Sequence, residues 1–292
     1  SEVTQEKLTS RLKTNKLTGF ASYCYIKMIR YFMITVLKEI ISQAGKICMQ
    51  GHAHLNKGDI EFKKQKDLVT KVDKKVENFI IDAVNRKYPD HGVFGEETGK
   101  FNINAEYLWV IDPIDGTTSY FHHHPFYCVS IAVYRDNKPL FGAVFAPALD
   151  ELFIAKENQA FLNDRRIKVS RTDKLVDSVM ATGFACLRSD LEDNNLPYFN
   201  RIVPRLRDIR RFGSAALDLC YVACGRLDGF WELNLNLYDI AAGAMMVEYS
   251  GGRVTDLKGT DHFPENGVVA ANPDIHKTLL KNLKGDKETP EK

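Results

Sequence analysis

The chain has 292 residues, enough to bury a large core in one big domain or two intimate ones. Its 40 Lys and Arg nearly balance 38 Asp and Glu, and a net charge of +2 lacks the basic footprint of a nucleic-acid-binding domain. Six scattered cysteines with no Cys-x-x-Cys pair point to reduced thiols in a cytoplasmic protein, not a disulfide framework.

Residues 1–32 carry the least pattern. Ser1 to Lys16 is polar and Phe20 to Phe32 is aromatic-rich without a clear period, so the segment reads as a helical extension or a leader. The stretch 18–37 comes nearest to a membrane span, but Lys27 and Arg30 interrupt it, so no membrane partner is expected. No small-residue cleavage site follows it, which argues against a signal peptide. From Met33 the apolar positions 33, 37, 40, 41, 44, 47 and 48 predict a first amphipathic helix. Gly51 to Lys66 is polar and basic and reads as a loop. A second helix is predicted from Asp67 to Tyr88, stopped by Pro89-Asp90-His91-Gly92. Asp73 and Glu77 lie one turn apart on it, a spacing usual for a solvated face.

Val93-Phe94-Gly95 reads as a short strand delivering Glu96 and Glu97. Four strand-like segments follow at 128–134, 140–145, 152–155 and 159–162, with turn residues between them, which predicts an antiparallel meander. Farther on, 179–184 and 227–232 are strand-like and 196–206 is helical. Ser214 to Gly225 is a helix with Ser214 as N-cap and Gly225 as its stop. Asp239 to Tyr249 is a helix ended by Gly251-Gly252. Strands at 254–255 and 268–270 precede a last helix from Asp274, and Lys284 to Lys292 is a charged tail.

The centre of the chain is Tyr107 to Thr118, Tyr-Leu-Trp-Val-Ile-Asp-Pro-Ile-Asp-Gly-Thr-Thr. Leu108 to Ile111 reads as a buried strand ending in two aspartates, Asp112 and Asp115, with Pro113 fixing the backbone between them. Gly116 lets the chain pass close to a ligand, and Thr117-Thr118 can open a helix. Paired carboxylates suit hard divalent cations, and free N–H groups at a helix start suit phosphate oxygens. The bland alternative is an ordinary Asp-Pro and Asp-Gly turn.

Trp109 to Thr118 resembles the signature of the inositol monophosphatases, within the wider group of Mg2+-dependent, lithium-sensitive sugar phosphatases. That pattern has an Asp on an early helix, a Glu-Glu pair, Asp-Pro-Ile-Asp-Gly-Thr, then Trp-Asp and Gly-Gly. Here Asp73, Glu96-Glu97, Asp112 to Thr117, Tyr238-Asp239 and Gly251-Gly252 stand in that order, and the likeness spans Met33 to Leu283. It implies an α/β (α+β) sugar-phosphatase fold of alternating helix and sheet layers with two subdomains. Residues 1–32 would be an extension, 33–172 the metal-binding subdomain, 173–285 the substrate side and 286–292 a polar tail.

The same resemblance implies hydrolysis of a small phosphorylated polyol or sugar, foremost myo-inositol monophosphate, by a metal-activated water. One metal would take Glu96, Asp112 and the Ile114 carbonyl, and a second Asp112, Asp115 and Asp239. Oxygen-only ligation suits Mg2+, or Mn2+, over zinc. Glu96 and Thr117 would orient the water, with Asp73 beside them in the catalytic group. Gly116 and Thr117 N–H groups would hold the phosphate. The turn Gly213-Ser214-Ala215, Glu232 and Asp239 would meet the sugar. A homodimer is implied as well. Tyr238, Asn236 and Ser119 stand where the family has Trp, often His and often Asn, and they bear on substrate preference. The rivals are a fructose-1,6-bisphosphatase or dual enzyme, a histidinol-phosphate or 3′-nucleotide phosphatase, and, in another class, a regulatory binding protein. His122 to His124 tempt a zinc reading but consecutive side chains diverge. Arg205, Arg207, Arg210 and Arg211 could meet a second phosphate, a partner subunit or only water.

Overall fold

The structure, a computed structural model, describes residues 19–54, 60–64, 67–189 and 191–285. By its internal contacts the chain forms two units, residues 1–39 and residues 40–292.

Helix α1 (Gly19–His52) starts well before the predicted Met33, because the aromatic stretch is helical too. In the first unit it buries Met33, Ile34, Val36 and Leu37 and exposes Met28, Tyr31 and Phe32. The predicted 51–66 loop is partly strand. Strand β1 (Ile60–Lys64) pairs antiparallel with β2 (Asp67–Thr70), and 55–59 and 65–66 lie outside the described residues. The alternation Ile60-Glu61-Phe62-Lys63 carries the period-2 signal that the lysines obscured. Consequently α2 (Lys71–Lys87) begins four residues later than predicted, with Thr70 as N-cap and Asp73 closing a capping box.

An eight-stranded sheet follows, built from β3 (Gly92–Gly95), β4 (Gly99–Phe101), β5 (Tyr107–Asp115), β6 (Cys128–Arg135), β7 (Lys138–Ala146), β8 (Glu151–Lys156), β9 (Gln159–Leu162) and β10 (Arg165–Arg166). Its order is β10-β9-β8-β7-β6-β5-β3-β4, and only β3 and β5 pair in parallel. The short helix α3 (Thr117–Phe121) caps the end of β5. The predicted meander is present as β6 to β9 and runs on into β10, with Asp136-Asn137, Glu157-Asn158 and Asn163-Asp164 at positive φ in its turns.

The remaining elements are β11 (Val179–Thr182), α4 (Ala185–Arg188), α5 (Leu196–Ile202), β12 (Asp208–Arg210), α6 (Ala215–Ala223), β13 (Gly229–Glu232), α7 (Leu237–Tyr249), β14 (Arg253–Thr255), β15 (Val268–Ala271) and α8 (Pro273–Lys284). Their strands make a mixed five-stranded sheet, order β12-β11-β13-β15-β14. Helices α6 and α7 pack on each other and touch both sheets, so one core runs through Val110, Val144, Leu219, Met246, Phe230 and Ala270. Their alanine-rich faces permit this, and at Gly243 a Cβ would meet Leu219 Cβ at 2.7 Å. The other face of the five-stranded sheet buries Trp231, Val269 and Ala271 against Ile202, Ile275 and Leu279 of α5 and α8. Helix and sheet layers therefore alternate, as the resemblance implied.

Candidate active site

The site grows from the end of β5. In a regular strand, residues three apart point to opposite faces. Here Asp112 pairs with Ser130 and Asp115 with Cys128, so two β5 residues, Pro113 and Ile114, oppose the single Val129. Proline has no N–H for the ladder, and the bulge it forces adds one residue. That turns Asp112 and Asp115 to the same face. Asp112 is buried, and its Oδ1 accepts from Ile114 N at 3.1 Å. Asp115 Oδ2 accepts from Ser214 Oγ and Ala216 N, both at 2.7 Å, so the start of α6 holds it.

The parallel neighbour β3 sets Gly95 beside Ile111, and Glu96 N donates to Ile111 O at 3.2 Å. This brings the Glu96 carboxyl into a side-chain hydrogen bond with Asp112. The turn after β3 is clamped by Glu77, whose carboxylate accepts from Glu97 N at 3.0 Å and Thr98 N at 2.7 Å. A Cβ on Gly95 would lie 2.6 Å from that carboxylate. Glu77 is fully buried, so the solvated face expected for it is wrong: α2 turns this side toward the sheet. Asp73 is buried on the same helix. Its Oδ2 takes Thr70 N at 2.9 Å and Thr70 Oγ1 at 2.5 Å, and its Oδ1 takes Thr117 Oγ1 at 3.2 Å. Thr117 Oγ1 also stands 3.1 Å from the Ile114 carbonyl.

Asp239 arrives from the other side as the third residue of α7, two residues farther in than predicted because Asn236 is the N-cap. Its Oδ2 accepts from Asn236 N at 2.5 Å. Glu232 ends β13, buried, with Oε1 accepting from Ala185 N at 3.0 Å. Gly183 lies flat on this carboxylate, where a Cβ would come within 2.1 Å of it. Gly116 has φ of 94°, and a Cβ there would meet the Phe126 carbonyl at 2.9 Å and the Gly213 carbonyl at 3.2 Å. No other residue fits that turn. Ser214 is buried and spends its hydroxyl on Asp115 and on capping Leu217 N at 3.3 Å.

Electrostatically the cluster is strained. Burial pushes the Asp112 carboxyl well above its usual range, and Glu96, Asp115 and Asp239 push it further. Asp239 is driven up by burial and then by Asp115. Burial also raises Asp115, offset by Ser214, the Ala215 and Ala216 N–H groups and Arg188. Asp73 is held at about 7 by burial, against the pull of its Thr70 hydrogen bonds. Glu232 stands at about 7 by burial, moderated by Ala185 N–H, Arg188 and Arg211. Among the described residues no three His, Cys, Asp or Glu side chains close into a ready-made ligand set. Asp112, Asp115 and Asp239 each turn an oxygen to a backbone N–H. An all-carboxylate donor set of this kind fits a hard cation, whose charge would relieve the repulsion.

The chain as a whole matches a known group. A family model described as the inositol monophosphatase family covers residues 31–287. The chain belongs to that family. The inositol-1-monophosphatase of Mesorhizobium japonicum is 36% identical over 260 residues, covering 88% of this chain and 98% of that protein. The crystal structure of the extragenic suppressor protein suhB from Bartonella henselae superposes with a TM-score of 0.82 at 35% identity, over 87% of this chain and 99% of that one. SaIMPase-II, crystallised with inositol monophosphate bound, gives a TM-score of 0.71 at 27% identity over 87% and 94% of the two chains. As an inositol monophosphatase family member the chain is a phosphomonoester hydrolase acting on a phosphorylated small molecule, and the family is in general metal-dependent.

Within this candidate site the sequence reading missed three residues. Thr70 was hidden inside a predicted helix, although Thr-x-x-Asp is a capping-box signal. Glu77 was assigned to solvent. Asp218 was overlooked on α6, an otherwise apolar helix in which a single acid is itself a sign of burial. Asp218 is buried, its Oδ1 has no hydrogen-bond partner among the described residues, and burial and Glu232 hold it well above the usual range. The arginine run divides. Arg207 and Arg210 pair on the surface with Asp177 at 2.5 Å and Asp208 at 2.6 Å, while Arg211 faces Glu232 and Asp218. His122, His123 and His124 are exposed, and the His123 ring lies tilted against that of His52, centroids 4.5 Å apart.

Proposed function

We propose that the chain hydrolyses myo-inositol monophosphate in preference to other phosphomonoesters, with Mg2+ as its working cation and Mn2+ as a substitute. The observation that carries this reading is the convergence of Glu96, Asp112, Asp115 and Asp239 between the Gly116 turn and the buried Glu232. Glu96, Asp112 and the Ile114 carbonyl would hold one cation, and Asp112, Asp115 and Asp239 a second. Cations bound there supply positive charge to the phosphoryl and leaving oxygens and lower the pKa of a water.

The chain's own groups do the rest. Thr117 Oγ1 has one proton and two acceptors in reach, Asp73 Oδ1 and the Ile114 carbonyl. With that proton given to either, the oxygen keeps a lone pair to accept from the attacking water, and Glu96 is the carboxylate that takes the other proton. The Gly116 and Thr117 N–H groups hold phosphate oxygens; α3 is a single turn, so these donors matter more than its dipole. Because the Ser214 side chain is spent on Asp115, the Gly213–Ala215 turn offers a sugar its backbone, and Glu232 accepts a ring hydroxyl. On the family resemblance the working form is a cytoplasmic homodimer.

The test is a phosphate-release panel in Mg2+ with inositol monophosphate, fructose 1,6-bisphosphate, histidinol phosphate and a 3′-nucleotide. Preference for inositol monophosphate supports the reading. A bisphosphate or nucleotide turned over faster replaces the substrate, and no turnover of any favours a binding role for the fold.

A further inference from the structure

The first unit carries a surface that hydrolysis does not use. Between Glu6 and Glu39 the chain has seven Lys and Arg and no acidic residue, although as a whole it is nearly neutral. Helix α1 starts in this stretch, twelve residues before the family match begins at residue 31. On it Tyr31 is 75% exposed, Met28 55% and Phe32 52%. Their i, i+3, i+4 spacing sets the three side by side on one face. Met33, Ile34, Val36 and Leu37 are buried, so the helix has an inner side and the Met28-Tyr31-Phe32 band is its outer one. At about 100° per residue, Lys27 and Lys38 fall on the Tyr31 edge of that band, Arg30 lies farther round on the same side, and the exposed Glu39 falls between Met28 and Phe32 on the band's other half. Lys27 and Arg30 are exposed.

A contiguous apolar band with basic residues along one edge marks an interaction surface. Among the described residues no helix is long and apolar enough to cross a membrane. The charges that break the span suit the boundary layer of a bilayer, where long basic side chains reach headgroups while apolar ones enter the acyl region.

We propose that residues 19–38 dock the protein on an anionic phospholipid surface, with Met28, Tyr31 and Phe32 in the acyl boundary and Lys27, Arg30 and Lys38 among the headgroups. A nucleic acid would satisfy the charge but leave Met28 and most of the band wet. Each basic residue near an anionic leaflet strengthens partitioning about fivefold. The inference does not depend on which phosphate ester the active site hydrolyses.

Co-sedimentation of the full chain with phosphatidylcholine vesicles, with and without about 30% phosphatidylserine, tests it. Binding should need the anionic lipid and weaken as salt shortens the screening length from about 10 Å toward a few Å. Met28→Ser/Tyr31→Ser/Phe32→Ser and Lys27→Glu/Arg30→Glu should each lower partitioning at least about tenfold, with phosphate release and melting unchanged. Equal binding by these variants, equal binding to neutral vesicles, or no binding overturns the proposal. Preferential binding of single-stranded RNA, or a serine variant that only dissociates a self-assembled form, overturns it as well.

Discussion

Glu232→Gln separates stability from function at one buried carboxyl. In the folded protein Glu232 stands at about 7 against an ordinary 4.5, chiefly from burial, with Ala185 N–H, Arg188 and Arg211 only partly compensating. Between pH 4.5 and about 7 the unfolded chain has lost this proton while the folded chain keeps it. The contribution to stability is therefore best below 4.5, declines as pH rises to about 7, and is flat above. At about 1.4 kcal/mol per pKa unit, the penalty above pH 7 is on the order of 3 kcal/mol. Glutamine keeps an oxygen for Ala185 N, is nearly isosteric beside Gly183, and cannot ionise. Chelator-treated Glu232→Gln should thus melt above the parent by about 5 °C or more at pH near 8, with the gap closing toward pH 4.5. The same variant should raise KM for inositol monophosphate while p-nitrophenyl phosphate, which has no ring hydroxyl, is little affected. A variant less stable than the parent throughout, or one whose advantage grows as pH falls, refutes the reasoning.

Asp112→Asn removes the carboxylate on which Glu96, Asp115 and Asp239 converge, and kcat should fall by about 30- to 1,000-fold with the fold intact by circular dichroism. Retention of more than about a tenth of activity contradicts the assignment of Asp112 as the shared ligand. Thr70→Ala loses the α2 cap and the 2.5 Å hydrogen bond to Asp73, so calorimetry should show a loss of about 1 kcal/mol, restored by Thr70→Ser. Lithium at millimolar levels should inhibit with parallel double-reciprocal plots, as a small oxygen-seeking cation of half the charge competing at Asp112, Asp115 and Asp239. Unchanged rates at about 100 mM Li+ count against that second position.

Local chemistry made much of the molecule legible. Alternation and turn residues revealed the β6 to β9 meander, and Ser214 and Gly225 bracketed α6, because each signal lies within a few residues. The Asp-Pro-Ile-Asp run was legible as chemistry but not as geometry. Only the register against Ser130 and Cys128 shows that a bulge turns both aspartates to one face. Glu77 was illegible for a related reason. A charge on a helix with other charges around it reads as solvated until the partner that buries it is known, here the turn after Gly95, whereas the lone acid Asp218 on apolar α6 carried its own signal. That the helix runs unbroken from Gly19 past Met33 was not legible, though a helical extension was one of the two readings of this stretch, because aromatic residues on several sides hide a 3.6-residue period.

The most direct measurement is phosphate release from myo-inositol monophosphate as Mg2+ is titrated into chelator-treated protein. The site described here predicts no turnover at the start, a rise that saturates with Mg2+, and no such rise in Asp112→Asn at the same concentrations. Full turnover in excess chelator, or a folded parent that stays inactive at every Mg2+ concentration, contradicts it.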